Sequence, residues 1–215
     1  MDKKTVLERL TTTGVIPVIR ARSADEAAAA IAAIQKGGIS VLEITMTVPG
    51  AVELIREVAR RATDALVGAG TVLDPATARA CIDAGACFVV SPALNVLTIQ
   101  ACREAGVAVL PGALTPTEVV TAWNAGADLV KVFPANALGG PSYIKSLKAP
   151  LPQIGLVPTG GVNLQTAKDF IKAGAAALGV GADLVDLGAL RRGEAELISE
   201  RARQFLTLVR EARAA

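Results

Sequence analysis

The stretch Asp83-Ala-Gly-Ala-Cys-Phe-Val-Val90 indicates the fold, because its pattern of a glycine followed by a short apolar run recurs at nearly regular intervals along the chain. In each copy a glycine closes one segment, and a short apolar or β-branched run follows it. Glycine suits the left-handed residue just past the C-terminus of a helix, so each copy predicts the point where a helix ends and a strand begins. The other copies are Lys36-Gly-Gly-Ile39, Glu104-Ala-Gly-Val107, Asn124-Ala-Gly-Ala127 and Lys172-Ala-Gly-Ala175.

The spacing of these copies predicts the repeated unit. Their third residues, at positions 38, 85, 106, 126 and 174, are separated by steps of 47, 21, 20 and 48 residues. Two steps therefore hold one unit and two steps hold a double unit, with an underlying period of about 20 to 24 residues. One strand, one loop and one helix fit that length, whereas two helices or a β-hairpin do not.

Eight short apolar runs are the predicted strands. They show little alternation of apolar and polar residues, which is typical of parallel strands that are buried on both faces. Signals for helix starts lie between them: Ser23–Glu26 and Thr115–Glu118 have the pattern of capping boxes, and Asp74 followed by Pro75 has the pattern of an N-cap. The predicted strands are Val15–Ile19, Ile39–Ile44, Ala65–Val67, Cys87–Val90, Val107–Leu110, Leu129–Val132, Ile154–Val157 and Ala176–Val180.

Eight strands that alternate with eight helices predict an α/β fold, a single (β/α)8 TIM barrel with an N-terminal helix. An open, doubly wound sheet alternates in the same way and is the alternative. The even repeat favours the barrel, and no GxGxxG motif follows the first strand, since Gly68-Ala-Gly70 is only a fragment of one. No linker or low-complexity segment divides the chain, so we expect residues 1–215 to form one domain.

The composition excludes several classes of function. The chain has 215 residues, a net charge of +2 with interspersed signs, and no apolar run as long as a membrane span, so neither a nucleic acid nor a membrane is an expected partner. It has no histidine, which excludes Ser-His-Asp triads and His-ligated metal sites. Its three cysteines lack metal or redox spacing, and the N-terminal residues lack the apolar run of an export signal. We therefore expect a cytoplasmic protein without a metal or cofactor.

Lys131 and Glu43 are the candidate catalytic residues. Alternation along Leu129–Phe133 and Val41–Thr45 places Lys131 and Glu43 on the inner faces of two strands. Burial of a lysine lowers its pKa and supplies the neutral amine that attacks a carbonyl group. A carboxylate can then move the protons, because no histidine is available. The alternatives are a lysine whose amine reaches solvent and an ion pair with a purely structural role.

The strand ends carry candidate substrate-binding residues. Arg20 follows the first strand, and its guanidinium can bind a carboxylate through two parallel hydrogen bonds. Thr159-Gly160-Gly161 and Gly179-Val-Gly181 follow the seventh and eighth strands, where barrels commonly hold a phosphate group on main-chain N–H groups. The alternative for both glycine segments is a tight turn.

Several segments in register resemble the 2-keto-3-deoxy-6-phosphogluconate (KDPG) aldolase family, which is often assigned jointly to 4-hydroxy-2-oxoglutarate (KHG). The resemblance extends from about Val15 to Leu184. The segments that carry it are Ile16-Pro-Val-Ile-Arg20, Leu42-Glu-Ile-Thr45, Gly68-Ala-Gly-Thr-Val72, Ser91-Pro92, Lys131-Val-Phe-Pro134 and Pro158-Thr-Gly-Gly161.

The resemblance implies a metal-free class I aldolase that cleaves KDPG to pyruvate and glyceraldehyde 3-phosphate in the Entner-Doudoroff pathway. It implies that Lys131 forms the Schiff base and that Glu43 transfers protons. It further implies that the substrate, a keto-deoxy sugar acid, is the partner and that the protein is a homotrimer. The implied substrate contacts are Thr71 on the pyruvyl group, Pro92 and Phe133 as walls, and Thr159, Gly160, Gly161 and Gly181 at the phosphate.

Two positions depart from the family pattern. Many relatives have an arginine where this chain has Thr47, and Arg20 on the neighbouring strand is the expected replacement; Thr47 stays a candidate substrate contact. Many relatives also have a serine where this chain has Ala182. Loss of that hydroxyl removes one hydrogen bond to phosphate, which predicts a weaker preference for the phosphorylated substrate.

Three alternatives to KDPG cleavage are open at the level of the sequence. The same chemistry could act on the galactonate epimer or on KHG, which yields pyruvate and glyoxylate, because the sequence does not specify hydroxyl stereochemistry. A phosphosugar epimerase on a similar barrel is disfavoured by the lack of histidine ligands. A non-catalytic barrel could bind a phosphometabolite, with Lys131 only contacting an anion.

Overall fold

The computed structural model describes residues 1–61 and 64–214, so the predicted domain of residues 1–215 includes positions outside this description. Each of the eight predicted strands is confirmed in place, although the bounds shift by up to three residues. The strands are Val15–Ile19 (β1), Val41–Thr45 (β2), Leu66–Gly70 (β3), Phe88–Val90 (β4), Ala108–Leu110 (β5), Gly112–Ala113 (β6), Val130–Val132 (β7), Leu156–Pro158 (β8) and Leu178–Val180 (β9).

Helices alternate with these strands, as the repeat predicts. The chain begins with a helix before β1, which confirms the expected N-terminal helix. A short 3₁₀-helix, Ala135–Leu138, follows β7. The α-helices are Lys3–Thr13 (α1), Ala24–Lys36 (α2), Ala51–Arg61 (α3), Pro75–Asp83 (α4), Val96–Glu104 (α5), Pro116–Ala125 (α6), Pro141–Lys148 (α7), Ala167–Lys172 (α8), Leu187–Arg191 (α9) and Ala195–Ala214 (α10).

The glycines of the recurring pattern lie just past helix ends with left-handed backbone angles. Their φ values range from 69° at Gly106 to 106° at Gly85. An L-residue with a side chain is strained in this region, whereas glycine adopts it freely. The predicted role of these glycines is therefore confirmed at positions 38, 85, 106, 126 and 174.

All three predicted helix starts are confirmed, and the predicted caps are complete at α4 and α6. Asp74 caps α4 by accepting a hydrogen bond from the main-chain N–H of Thr77, with Pro75 in the first turn. Thr115 and Glu118 form a reciprocal capping box at α6.

The predicted capping box at α2 is only half formed. Ser23 accepts a hydrogen bond from the N–H of Glu26 at 3.1 Å. The Glu26 carboxylate does not return the bond to Ser23, because it accepts from the N–H of Arg22 and from the side chain of Arg191. One carboxylate oxygen thus bonds to the residue just before Ser23, and the other bonds to an arginine distant in the sequence.

The strands form a parallel, curled arrangement of two hydrogen-bonded sheets. One sheet has the order β5-β4-β3-β2-β1-β9, and the other has the order β6-β7-β8. Glu43 of β2 pairs with Val18 of β1 and with Gly68 of β3, while Lys131 of β7 pairs with Gly112 of β6. The helices cover the outer side of the strands, which gives the α/β architecture.

Main-chain contacts also join the two sheets. Pro111 separates β5, which matches the fifth predicted strand, from β6, a two-residue strand that was not predicted. The carbonyls of Val109 and Pro111 still accept hydrogen bonds from the N–H groups of Asp128 and Lys131, at 3.1 and 2.9 Å. On the other side, Thr159 forms an isolated parallel bridge with Gly179.

The carboxyl ends of the strands lie at one edge of the sheet, because the strands are parallel and in register. Helix α1 packs against β1, β2 and β5, with Val6 and Leu10 buried in the core. No helix within the described ranges has both the length and the apolar character needed to cross a membrane.

Candidate active site

Lys131 and Glu43 meet in the interior, although they lie on different strands. Lys131 is the middle residue of β7 and Glu43 the middle residue of β2, and their exposed fractions are only 4% and 2%. The distance between Lys131 Nζ and Glu43 Oε1 is 3.8 Å. Charged side chains are almost never buried to this degree unless they are paired. Lys131 and Glu43 are therefore each other's charge partners in the interior.

The environment of Glu43 favours its protonated form more than water does. Burial raises the pKa of the Glu43 carboxyl group, and the positive charges of Lys131 and Arg20 oppose that shift. Among the described residues, Oε1 of Glu43 has no hydrogen-bond partner. The 3.8 Å separation from Lys131 Nζ exceeds hydrogen-bond length, so the two groups interact through their charges without a hydrogen bond.

Glycine 70 makes room for the Glu43 side chain. A Cβ atom at Gly70 would overlap the Glu43 carboxylate. A glycine inside a strand often marks a point of close approach, and here the approaching group is the candidate proton carrier. Any larger residue at position 70 would push that carboxylate away from Lys131.

Phe133 lies on the same side of the chain as Lys131. The Lys131 Nζ atom is 5.4 Å from the centre of the Phe133 ring, within the range of a cation–π contact. Phe133 is half-buried, and so is Pro134, which follows it. The ring thus forms an apolar wall beside the amine.

A chain of hydroxyl groups joins the ends of β1 and β2. Thr45 is fully buried, and its Oγ1 donates a hydrogen bond to the carbonyl of Ile19 at 2.8 Å. The Oγ1 atoms of Thr45 and Thr47 are 2.6 Å apart. Arg20 follows Ile19 directly and is exposed, as is Thr47.

Gly181 leaves open space beside Arg20. The nearest atom to a Cβ built at Gly181 is Nη1 of Arg20, at 3.9 Å. A cleft of about 270 Å³ runs between these two residues and the start of α9. Packing does not demand a glycine at this position, so the space is available to a ligand.

Thr71 and Pro92 occupy constrained positions at the next strand ends. Thr71 has φ 57°, the only positive φ of a residue other than glycine within residues 1–61 and 64–214. Strain of this kind in a β-branched residue is concentrated at functional sites. Pro92 is held by Ser91, whose Oγ donates to the carbonyl of Ala93 and accepts from the N–H of Gly112.

The Thr159-Gly160-Gly161 segment has the backbone angles that its glycines predict. Gly160 and Gly161 have φ values of 94° and 72°, and Thr159 is buried. Cβ atoms at the two glycines would meet the side chain of Asn136. Asn136 was not predicted as a site residue, although it lies only two residues after the motif Lys131-Val-Phe-Pro134.

The predicted catalytic pair lies in the middle of two strands, whereas the predicted substrate-binding residues follow the carboxyl ends of their strands. Lys131 contacts Glu43 and Phe133, and Arg20 lies beside Gly181. Thr47 contacts Thr45 rather than another predicted site residue. Within the described ranges, no group of three or more Cys, Asp and Glu side chains is placed to hold a metal ion.

Comparisons with known proteins identify relatives along most of the chain. A family described as "KDPG and KHG aldolase" matches residues 6–200. The KHG/KDPG aldolase of Escherichia coli K12 is 34% identical over 94% of this chain and 95% of its own length. The 2-dehydro-3-deoxy-6-phosphogalactonate aldolase of the same strain is 36% identical, with coverages of 92% and 95%.

A solved structure of a named relative has a similar fold. The KDPG aldolase of Legionella pneumophila, whose structure holds pyruvate as a covalent carbinolamine intermediate, superposes with a TM-score of 0.85 at 29% identity. The superposition covers 92% of this chain and 96% of that one.

A buried lysine beside a carboxylate on a parallel α/β sheet, together with these relatives, defines a class I aldolase, a lyase that works through a Schiff base. The chain belongs to the KDPG and KHG aldolase family.

Proposed function

We propose that this aldolase cleaves KDPG to pyruvate and glyceraldehyde 3-phosphate, with Lys131 as the nucleophile and Glu43 as the proton carrier. The observation that carries the proposal is the 3.8 Å separation of Lys131 Nζ and Glu43 Oε1 in the interior of the sheet. Membership in an aldolase family favours catalysis over the non-catalytic binding barrel.

The reaction begins when the neutral amine of Lys131 attacks the ketone carbon of the substrate. One amine proton moves to the resulting oxyanion to give the carbinolamine, and protonated Glu43 donates a second proton to its hydroxyl group, which leaves as water and gives the protonated Schiff base. The Glu43 carboxylate then takes the proton of the substrate C4 hydroxyl, the C3–C4 bond breaks, its electron pair moves into the Schiff base to form an enamine, and glyceraldehyde 3-phosphate leaves. Glu43 gives this proton to the enamine carbon, and attack of water on the new Schiff base releases pyruvate and restores the amine.

Arg20 is the proposed anchor for the pyruvyl carboxylate. It stands at the end of β1, exposed and beside the open space at Gly181. Its charge is felt by Glu43, which places it near the reacting centre. Thr71, Pro92 and Phe133 are the proposed contacts of the pyruvyl part of the substrate.

Borohydride reduction with pyruvate tests the chemistry. Reduction of the Schiff base fixes the pyruvyl group to the amine, and we expect mass spectrometry to find it on the peptide that contains Lys131. Phosphate-competitive binding without an adduct would instead support a protein that only binds phosphometabolites. A panel of KDPG, its galactonate epimer and KHG then decides the substrate, because relatives with each of these names match the chain.

The proposed phosphate site includes Thr159, Gly160, Gly161 and Gly181, and the neighbouring Ala182 has no hydroxyl group to donate to a phosphate. Ala182 lies in a cleft of about 370 Å³ whose lining includes Asp183, Asp186 and Arg201. Arg201 is paired with Asp186 at 3.1 Å, so its charge is already balanced.

We expect the ratio of kcat/KM for phosphorylated over unphosphorylated substrate to be modest in the natural chain. The Ala182→Ser variant should raise the ratio at least about tenfold, because a hydrogen bond to a charged group contributes roughly 1.5–3 kcal/mol. The measurement compares KDPG with the unphosphorylated keto-deoxy acid in both proteins. A natural preference of several thousandfold would contradict the expectation.

We also propose that the two sheets form one closed eight-stranded barrel, with β5 and β6 counted as one strand. Hydrogen bonds and bridges at both seams support closure. If the paired residues are followed from strand to strand around both sheets, the path returns to β1 about eight residues before the residue where it started. This offset equals the shear of a (β/α)8 barrel. We further propose that the chain forms a single domain, that it is located in the cytoplasm and that it acts in the Entner-Doudoroff pathway.

We propose that the homotrimer implied by the family resemblance forms through an exposed apolar patch of Leu73, Val96 and Leu97, which we call the β3–α5 patch. Leu73 and Leu97 are 60% and 63% exposed, and a hydrogen bond from Asn95 to the Leu73 carbonyl holds the two segments together. Contiguous apolar surface of this kind marks contacts between proteins.

We expect Leu97→Asp to convert the trimer to monomers in light-scattering measurements, because it buries a charge in the contact. Leu197→Asp, which changes an exposed leucine on α10, should leave the trimer intact. A monomeric natural protein would overturn the homotrimer, and a trimeric Leu97→Asp variant would overturn the patch.

A further inference from the structure

We propose that Thr47 and Thr45 are positioning residues for Arg20: their hydroxyl groups tie the end of β2 to the main chain of β1 immediately before Arg20 and so determine where the guanidinium stands. The inference rests on the proposed function, in which Arg20 binds the substrate carboxylate. It concerns the position where many relatives have an arginine and this chain has Thr47.

The direction of the hydroxyl chain follows from proton counting. Thr45 has one hydroxyl proton, and the carbonyl of Ile19 can only accept, so Thr45 donates to it across 2.8 Å. The proton between Thr45 and Thr47, whose Oγ1 atoms are 2.6 Å apart, must therefore come from Thr47. The order is Thr47 to Thr45 to the Ile19 carbonyl.

This order limits what Thr47 can offer a substrate. Its only side-chain proton is already donated, so Thr47 presents lone pairs to the site. A carboxylate also has only acceptors, so a direct hydrogen bond between the two is not available. Thr47 therefore does not replace the missing arginine as a ligand of the substrate carboxylate. It affects the binding of the carboxylate only by positioning Arg20.

The geometry gives Thr45 a firm anchor. Its side chain is fully buried and lies two residues beyond Glu43 on β2, whereas Thr47 and Arg20 are exposed. The pairing of β1 and β2 extends to Ile19 and Ile44, so the hydroxyl chain begins where the main-chain ladder stops. The hydroxyl chain adds a hydrogen bond between β2 and β1 at Ile19, the residue just before Arg20.

The test is a double-mutant cycle between Thr47→Val and Arg20→Gln. Valine keeps the shape of threonine and removes the hydroxyl. We expect Thr47→Val to raise KM for the keto acid about tenfold and to change kcat less than about twofold, since a binding group is misplaced and the chemistry is not. In the Arg20→Gln background the same change should raise KM less than about twofold, because there is no guanidinium to position.

Two further variants separate positioning from packing. Thr47→Ser keeps the hydroxyl and should restore most of the affinity. Thr121→Val removes a threonine hydroxyl that bonds to a main-chain carbonyl on exposed α6, and it should leave KM as it is. Thermal unfolding of each variant checks that the fold persists.

The outcomes distinguish the two proposals. Equal effects of Thr47→Val in both backgrounds, or none where Arg20 is present, would overturn the positioning role and leave the carboxylate assignment intact. An unchanged KM in Arg20→Gln would overturn both the carboxylate assignment and the positioning role. The position of a guanidinium that does not bind the substrate cannot affect KM. The adduct on Lys131 tests the aldolase chemistry independently of all these variants.

Discussion

Replacement of Lys131 by alanine is expected to abolish turnover, with a fall in kcat of at least about 10⁴-fold, because no other group can form the covalent bond to the substrate ketone. The measurement is kcat for cleavage, together with borohydride trapping on pyruvate. The variant should retain its fold, since the change removes a buried amine and leaves the paired strand main chain in place. Circular dichroism and thermal unfolding check this.

Lys148 provides the matched control. Burial lowers the pKa of Lys148, so by pKa alone it would be a rival nucleophile. Its Nζ, however, donates to the carbonyls of Pro152 and Ile154 at 2.7 and 2.8 Å, and no carboxylate pairs with it among the residues that the structure describes. Lys148→Ala should therefore keep both turnover and the adduct. Full activity in Lys131→Ala would refute the mechanism.

Replacement of Glu43 by glutamine is expected to lower kcat by about 10²- to 10⁴-fold, the range for loss of a group that transfers protons. Glutamine has the shape of glutamate but cannot exchange a proton at neutral pH. Lys131 should still acquire the adduct on long incubation, since the nucleophile remains. A kcat in Glu43→Gln within about twofold of the natural value would contradict the proposed role of the carboxylate in proton transfer.

The pH dependence of kcat/KM gives a second test of Glu43. Burial raises the pKa of this carboxyl group, so as pH falls it becomes protonated at a higher pH than an exposed glutamate does. Activity that needs the carboxylate form is lost as pH falls through that raised pKa. We expect an acid limb displaced upward in the natural protein and absent in Glu43→Gln.

Arg20→Gln should move this limb in a known direction. The positive charge of Arg20 opposes the rise in the pKa of Glu43, so its removal raises that pKa further. The acid limb should therefore shift to higher pH, in addition to the effect of the variant on KM. An unmoved limb would mean that another group sets the acid side of the profile.

Local chemistry made much of the fold predictable. The glycines after the helices could be placed because left-handed backbone angles favour glycine wherever they occur. The Thr115–Glu118 capping box could be placed for the same kind of reason, since its partners lie three residues apart. The capping box at Ser23–Glu26 is only half formed, because the Glu26 carboxylate accepts from the Arg22 N–H and from Arg191, which is far along the chain.

The site was predictable only in part. Alternation along two strands predicted that Lys131 and Glu43 face inward, but the space at Gly70 depends on β2 and β3 lying side by side. Asn136 and the hydroxyl chain of Thr45 and Thr47 were not predicted, because a hydrogen bond to the Ile19 carbonyl joins residues that are adjacent only in space.

The repeated strand–helix unit and the facing of Lys131 and Glu43 follow from the sequence alone, since each depends on periods within a few residues, and the family resemblance follows from motifs in register along the chain. The 3.8 Å approach of amine and carboxylate, the rise in the pKa of Glu43 and the surroundings of Arg20 follow only from the three-dimensional structure. These depend on burial and on the distance between strands, and neither quantity exists until the sheet has curled.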